Sequence, residues 1–396
     1  MRKPITLFLL LFLSLALRSL GAEERSSMEA GVYSSFGNTI FSMTDIFFNN
    51  GVIEVDIDKI SRSDFTELFS GEGEAFINIF TLKPYTIGLF LGVEIQGVVS
   101  IPKEALEIIA NEDGRTGNFS GELSYGASAF FDAGVRASRK YGAWRIGLEG
   151  ALFSPLVYIP YSSTGYSLQT SPDLAMAMYG AFDLYSSLDL NDSTAFRNFF
   201  ETLRALGFDI GASAEYEFSP ALAVGGSLAH IPVIPARLRQ GLHARASFTL
   251  TDFNYIHELI TQDFNVVDHN SELEYSDSDR FYVIRPLRVD GYAVYRPLRT
   301  DFISVIPRAG LSFFTFYGYD KVFFNPGLEA RLKFPDFLVS GLGVFYRERT
   351  WSETLSFSFN FRYLSFEFSL GLQGASFIES FTSRGFHAAF GICAGL

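Results

Sequence analysis

An alternation of period two, sustained over far more residues than an ordinary strand needs, constrains this chain most. From Leu123 the odd positions run Leu123, Tyr125, Ala127, Ala129, Phe131, Ala133 and Val135; the even ones run Ser124, Gly126, Ser128, Phe130, Asp132, Gly134 and Arg136. Successive side chains of an extended strand point to opposite faces, so one face here is apolar and the other small or charged. After Arg139-Lys140-Tyr141-Gly142 the pattern restarts, with Trp144, Ile146, Leu148 and Leu152 opposite Arg145, Gly147, Glu149 and Ala151. This predicts a hairpin. The pattern recurs around Ser219-Pro220, before Phe334-Pro335-Asp336, and from Leu355 to Tyr363. The apolar phase then moves from odd to even at Phe366, Phe368 and Leu370, as a tight antiparallel turn requires.

Alternating strands build either a soluble sandwich, whose apolar faces share a core, or a membrane barrel, whose apolar face meets lipid. Four features favour the barrel. Segments run well beyond the usual five or six residues, the polar face is rich in Gly and Ser, and Tyr and Phe gather near strand ends. The fourth is an export leader. The expected fold class is all-β, a transmembrane antiparallel barrel. The chain is 48% apolar with 43 Phe, 19 Tyr and 35 Gly, and no run of apolar residues is long enough for a helical span. Lys and Arg total 31 against 44 acidic residues, which excludes nucleic acid as a partner. The one cysteine, Cys393, excludes an intramolecular disulfide and a multi-cysteine metal cage.

Met1 to Ala22 reads as a cleaved signal peptide. Arg2 and Lys3 precede the apolar run Ile5 to Leu17, and Ser19, Gly21 and Ala22 offer small residues for cleavage. Residues 23–70 lack long alternation and are expected as an N-terminal hatch or pre-barrel segment, with residues 71–396 forming the barrel. Setting aside the leader, this segment and three further stretches (102–117, 160–206 and 260–279) leaves roughly 240 residues. At about 17 per strand and turn, that is about 14 strands, with 12 to 16 allowed. The chain ends on an apolar alternating strand, Phe386, Ala388, Phe390, Ile392, Ala394 and Leu396. Such a strand is expected to engage the barrel-assembly machinery.

Two helices are expected in loops, Pro102 to Ala110 and Ser193 to Leu206. The second puts Phe196, Phe199, Phe200 and Leu203 on one face, as a lid would need. Charges of both signs fall on the expected lumen face: Asp132, Arg136, Arg145, Glu149, Glu215, Glu217, Arg308, Glu329, Arg331, Arg362 and Glu367. They suit cross-strand bracing or a selectivity region. Phe130, Phe314 and Phe316 are expected to point inward. The repeats Arg285-Pro286-Leu287-Arg288 and Arg296-Pro297-Leu298-Arg299 read as strand-end elements, with arginines reaching headgroup phosphates. His257-Glu258 lacks the second histidine of a zinc-protease helix, and no phosphate-binding loop or nucleophile elbow is present. Neither an enzyme nor a cofactor is expected.

The run from Gly207 to Ile231, with Gly-Phe-Asp-Ile-Gly-Ala-Ser-Ala-Glu-Tyr-Glu-Phe, a turn and Ala-Val-Gly-Gly-Ser-Leu, resembles the strand–turn–strand of FadL-like outer-membrane barrels of diderm bacteria. The resemblance implies about 14 strands, an N-terminal hatch, and uptake of long-chain fatty acids or other hydrophobic molecules through the bacterial outer membrane. The Asn-Pro-Ala motif of the family's hatch is absent, so no ligand-binding residue is carried over. Membrane lipid and a hydrophobic small-molecule cargo are the expected partners. A general diffusion porin and a structural or surface-interaction barrel are the alternative readings.

Overall fold

The computed structural model describes residues 27–38, 65–82, 85–102, 117–170, 175–187, 205–238, 240–251, 266–276, 281–297, 302–313, 322–334, 337–347, 350–361, 364–374, 377–381 and 385–395. In chain order the strands are β1 (Ser27–Asn38), β2 (Phe65–Leu82), β3 (Tyr85–Ile101), β4 (Gly117–Tyr141), β5 (Trp144–Thr170) and β6 (Ala175–Ser186). β7 (Gly207–Ser219), β8 (Leu222–Ile234), β9 (Ala236–Leu238), β10 (Gln240–Thr251), β11 (Val266–Ser276) and β12 (Phe281–Val283) follow. The last are β13 (Arg288–Tyr295), β14 (Ile303–Phe313), β15 (Val322–Phe334), β16 (Leu338–Arg347), β17 (Thr350–Asn360), β18 (Leu364–Gly374) and β19 (Gly385–Gly395), with a short helix α1 (Phe377–Ser380) before β19.

Every pairing is antiparallel, and fourteen strands close on themselves. The ring runs β1-β2-β3-β4-β5-β7-β8-β13-β14-β15-β16-β17-β18-β19 and returns to β1, where Ser27 faces Gly395 and Gly37 faces Gly385. Closure leaves no wall strand with a bare edge, the condition for backbone to cross a bilayer. Directly paired residues share a face, so one face can be followed across the wall. Gly92 pairs Asp132, Arg136 pairs Glu149 and Arg145 pairs Glu215 on the inside. On the outside lie exposed Leu91, Val93, Ile95, Ile146, Leu148, Leu342, Leu355 and Leu370. An apolar band of this extent on a closed wall is a lipid-facing surface.

The glycines of the inner face make room for large neighbours. A Cβ on Gly92 would sit 2.2 Å from Asp132 Oδ1, and one on Gly225 would sit 2.5 Å from the Tyr292 ring.

The two ends of the barrel differ. Short connections (83–84, 142–143, 220–221, 335–337 and 361–363) share one end with the beginning of β1 and the end of β19. The long connections, 39–64, 102–116, 235–287 and 375–384, lie at the other. There β4 and β5, of 25 and 27 residues, outrun the 9 to 11 or so that a bilayer needs. Their upper parts pair with each other, and β5 continues the sheet through β6 to β10 and β11, away from the ring.

Three expectations change. Of the segment expected as a hatch, Ser27–Asn38 and Phe65–Ser70 are barrel wall, and 39–64 lies outside the described residues. The short alternating run in β1 suffices because neighbours on both sides supply its hydrogen bonds. The stretches 160–206 and 260–279 hold part of β5, all of β6 and all of β11. Both pair outside the ring, β6 with β5 and β10, and β11 with β10. The strand count and the closing C-terminal strand are as expected.

Candidate functional site

Wall strands of a fourteen-stranded barrel enclose more space than their own side chains fill. Part of that space is taken by the connection between β8 and β13. At its start β9 turns inward, at its finish β12 does the same, and the two pair only with each other, Phe281 opposite Leu238 and Val283 opposite Ala236. Ala236, Leu238 and Val283 pack against the inward faces of Phe130, Phe153 and Tyr158, all fully or nearly fully buried, and Ala205 joins them. Phe130 and Phe153 meet edge to face at 6.0 Å, while Phe281 stacks on Tyr185 at 4.4 Å. Burying each large side chain contributes about 1.5–3 kcal/mol. This plug sits at the level where β7 begins and β8 ends, because a Cβ on Gly207 would lie 2.8 Å from Ala236 N.

Beneath the apolar cluster a belt of charges crosses the lumen. Arg285, 2% exposed, follows β12 and is held on two wall strands at once. Its Nη1 donates to Asp132 Oδ2 of β4 at 2.6 Å. Its Nε and Nη2 donate to the two carboxylate oxygens of Asp209 on β7, at 2.7 and 2.8 Å. The guanidinium also lies 5.5 Å over the Phe153 ring. A planar fork suits this task, since a bidentate carboxylate pair and a third acceptor can all be served by one arginine. The next residue, Pro286, places its carbonyl 3.0 Å from His230 Nδ1, and His230 has a φ of 60° at a break in the β7–β8 register. Arg288, the first residue of β13, reaches Glu94 on β3, five strands away round the wall. Glu94 in turn accepts from Gln96 Nε2 at 2.7 Å.

The charges expected from alternation form ladders along the wall. Arg136 Nε bonds Glu149 at 2.8 Å, and Arg145 lies 3.9 Å from Glu215, which accepts from the Tyr292 hydroxyl at 2.6 Å. Glu217 is 4.0 Å from Lys140 near the short-turn end. Glu329 is shared by Arg308 at 3.1 Å and Arg331 at 2.6 Å. Asp132 belongs to the belt, and Glu367 lines the lumen. Arg362, Phe314, Phe316 and the lid helix with Phe196, Phe199, Phe200 and Leu203 lie outside the described residues.

Arg285 corrects the reading of its repeat. It braces the plug from within the barrel instead of reaching a headgroup, because two buried carboxylates wait there. Arg296, in the second repeat, does sit just past a strand end, near Pro220 O at 3.5 Å. Glu94, Asp209 and Arg288 were not among the expected lumen residues. Glu94 and Asp209 carried a legible signal, since Glu94 lies between Val93 and Ile95, and Asp209 between Phe208 and Ile210, on alternating strands.

Two cavities flank Arg288, which lines both. One, of about 320 Å³, is bounded by Glu94, Asp132, Arg136, Glu149, His230 and Arg285. The other, of about 490 Å³, borders β13 to β19 and is lined by Arg308, Glu329, Arg331, Glu367 and a row of hydroxyls. In its wall His387 is held by Ser352 at Nδ1 (2.9 Å) and Thr354 at Nε2 (3.1 Å). These two hydroxyls tie His387 of β19 to β17 across β18.

No protein-family model matches the chain, and no curated protein sequence does. Among solved structures it is similar to the toluene transporter TodX of Pseudomonas putida, at 6% identity and a TM-score of 0.49, over 96% of this chain and 92% of that one. It is similar to a FadL homologue of Pseudomonas aeruginosa at 10% identity and a TM-score of 0.45, over 94% and 90%. The monoaromatic hydrocarbon channel CymD gives 10% identity and a TM-score of 0.44, over 97% and 90%.

Proposed function

We propose that this protein is a plugged outer-membrane channel for hydrophobic small molecules, long-chain fatty acids among them, with its short turns in the periplasm and its long connections outside. The orientation follows the usual arrangement of outer-membrane barrels. The observation that carries the reading is the buried apolar cluster of Phe130, Phe153, Tyr158, Leu238 and Val283 at the long-loop end of the lumen. An apolar solute arriving from that end meets aromatic and aliphatic surface before the charge belt, and it can replace the contacts of β9 and β12 with its own. A general diffusion porin would leave its lumen clear, whereas here Arg285 and the paired strands occupy it.

Three measurements test this. Purified protein in a planar bilayer is expected to stay silent or flicker, and large steady open-channel steps would return the protein to the porin class. A deletion strain should take up labelled long-chain fatty acid more slowly than its complemented parent. Equal uptake in both, with no hydrophobic molecule retained by the purified protein in native mass spectrometry, would leave a structural or surface-interaction barrel.

A further inference from the structure

His230 breaks the alternation that governs the rest of the wall. On β8, Ser227 pairs with Asp290 and Ala229 with Arg288, both lumen-lining residues of β13, so Ser227 and Ala229 face inward. Strict alternation would turn the next residue, His230, toward lipid. It does not go there. From Ile210 to Ala212 β7 advances two residues, while β8 between their partners, Ile231 and Leu228, advances three. The extra residue makes a bulge, and bulges re-aim side chains. His230 lies in it with a φ of 60°, the only positive φ at a non-glycine position among the described residues. Backbone strain of this kind gathers at binding and catalytic sites. Here it brings the imidazole round into the wall of the cavity of about 320 Å³.

The neighbour of the ring decides its tautomer. His230 Nδ1 lies 3.0 Å from the Pro286 carbonyl oxygen, which can only accept, so Nδ1 carries the hydrogen. In the neutral ring Nε2 is then a lone pair, and it has no partner among the described residues. The cations lining the same cavity are all engaged. Arg136 is held by Glu149 at 2.8 Å, Arg285 by Asp132 and Asp209, and Arg288 by Glu94. An entering carboxylate finds no guanidinium without a carboxylate of its own, and it meets the negative charge already there. An entering hydroxyl finds an open acceptor.

We infer that His230 Nε2 is a specificity-determining acceptor, and that the cavity beneath the plug binds uncharged apolar molecules bearing one hydroxyl, phenols or alcohols. The inference rests on the reading of the protein as a channel for hydrophobic small molecules and narrows it: a fatty acid satisfies Nε2 in its protonated form, the ionised acid does not. The cavity lies within the range of about 300–1,000 Å³ usual for small-molecule sites. Because Pro286 directly follows Arg285, a molecule held by His230 docks beside the contact that ties the plug to β4 and β7.

Three probes with the same methylphenyl body test it: p-cresol, toluene and p-toluate. Each is titrated calorimetrically into the full-length protein in lipid nanodiscs, with empty discs subtracted, at about pH 8, where the phenol is uncharged and the acid ionised. A hydroxyl favours water, so a purely apolar site would prefer toluene. p-Cresol is instead expected to bind about two- to tenfold more tightly than toluene, the range of one net hydrogen bond, and p-toluate the most weakly. His230→Gly, which accepts the positive φ without strain, should abolish the preference for p-cresol and leave toluene binding in place. Toluene bound by the parent protein as tightly as p-cresol refutes the acceptor without recourse to a variant, and the channel reading stands. A preference for p-cresol that survives in a folded His230→Gly removes His230 from the role. Tightest binding of p-toluate gives the cavity to anions and overturns the inference. If none of the three binds, the channel reading fails together with it.

Discussion

Arg285 Nη1 lies 2.6 Å from Asp132 Oδ2, joining residues 153 apart in the chain and tying the plug to the barrel wall. Asp209 completes the bridge with two further bonds. Because Asp132 belongs to β4 and Asp209 to β7, with β5 between them, one side chain spans three wall strands from inside. A latch of this kind is strong only while complete. Removing one partner of a buried ion pair typically costs about 3–5 kcal/mol, because a charge is left without compensation.

Arg285→Ala should therefore loosen the plug while the wall, held by its own ladders, stays folded. In planar bilayers the variant is expected to show frequent open steps where the parent shows few. Its unheated mobility on a detergent gel should match the parent's. A variant as silent as the parent would show that the plug is held by apolar packing alone.

The two carboxylates should not be equivalent. Asp209 accepts two charged hydrogen bonds and Asp132 one, and each such bond contributes about 1.5–3 kcal/mol. Asp209→Asn is expected to raise open-channel frequency more than Asp132→Asn. The reverse order, measured under the same salt, would count against the latch geometry.

Phe153→Ala removes the ring that touches both Phe130 and the Arg285 guanidinium. The loss should be about 3–5 kcal/mol of packing within the plug. Limited proteolysis of the detergent-solubilised variant is expected to cut the 235–287 connection faster than in the parent, and unchanged cutting would place the plug's stability elsewhere.

Steric demand differs between the two faces of the wall. A Cβ on inward Gly134 would come within 2.4 Å of the Gly150 carbonyl oxygen and of the Phe90 ring, whereas one on Gly150 meets nothing closer than Phe208 at 3.5 Å. Gly134→Ala should cost about 1–3 kcal/mol and Gly150→Ala no more than about 0.5 kcal/mol. Urea unfolding followed by tryptophan fluorescence would read the difference.

Membrane orientation is open to labelling. In a Cys393→Ser background, Glu122→Cys lies on the part of β4 beyond the ring, and Ala143→Cys in the short β4–β5 turn. A membrane-impermeant thiol reagent added to intact cells should modify the first and spare the second. Modification of Ala143→Cys alone would invert the proposed orientation.

Period-two patterning revealed the wall strands, because a wall between lipid and an aqueous interior imposes opposite chemistry on successive residues; segment length, the Gly- and Ser-rich face, aromatics near strand ends and the leader then separated a barrel from a sandwich. Leu123 to Ala151 shows this, and so does the ladder of Arg136 with Glu149, whose register the short turn at 142–143 sets; Arg145 and Glu215 likewise face each other on adjacent strands. The C-terminal strand was equally legible. The strands β6 and β11, which pair outside the ring, escaped notice because their sequences lack a long alternation.

What plugs the lumen could not be read along the chain. Nothing local in Arg285-Pro286-Leu287-Arg288 distinguishes an arginine aimed at a headgroup from one buried against two aspartates. The outcome depends on Asp132 and Asp209, which the chain brings together only once β4, β5 and β7 are side by side. The N-terminal segment likewise looks free in sequence, yet Ser27–Asn38 is needed to pair with β19 and β2 and close the ring. Alternation reports the local environment of each residue; ring closure and the Arg285 latch are contacts between distant segments, and only the folded chain brings them into being.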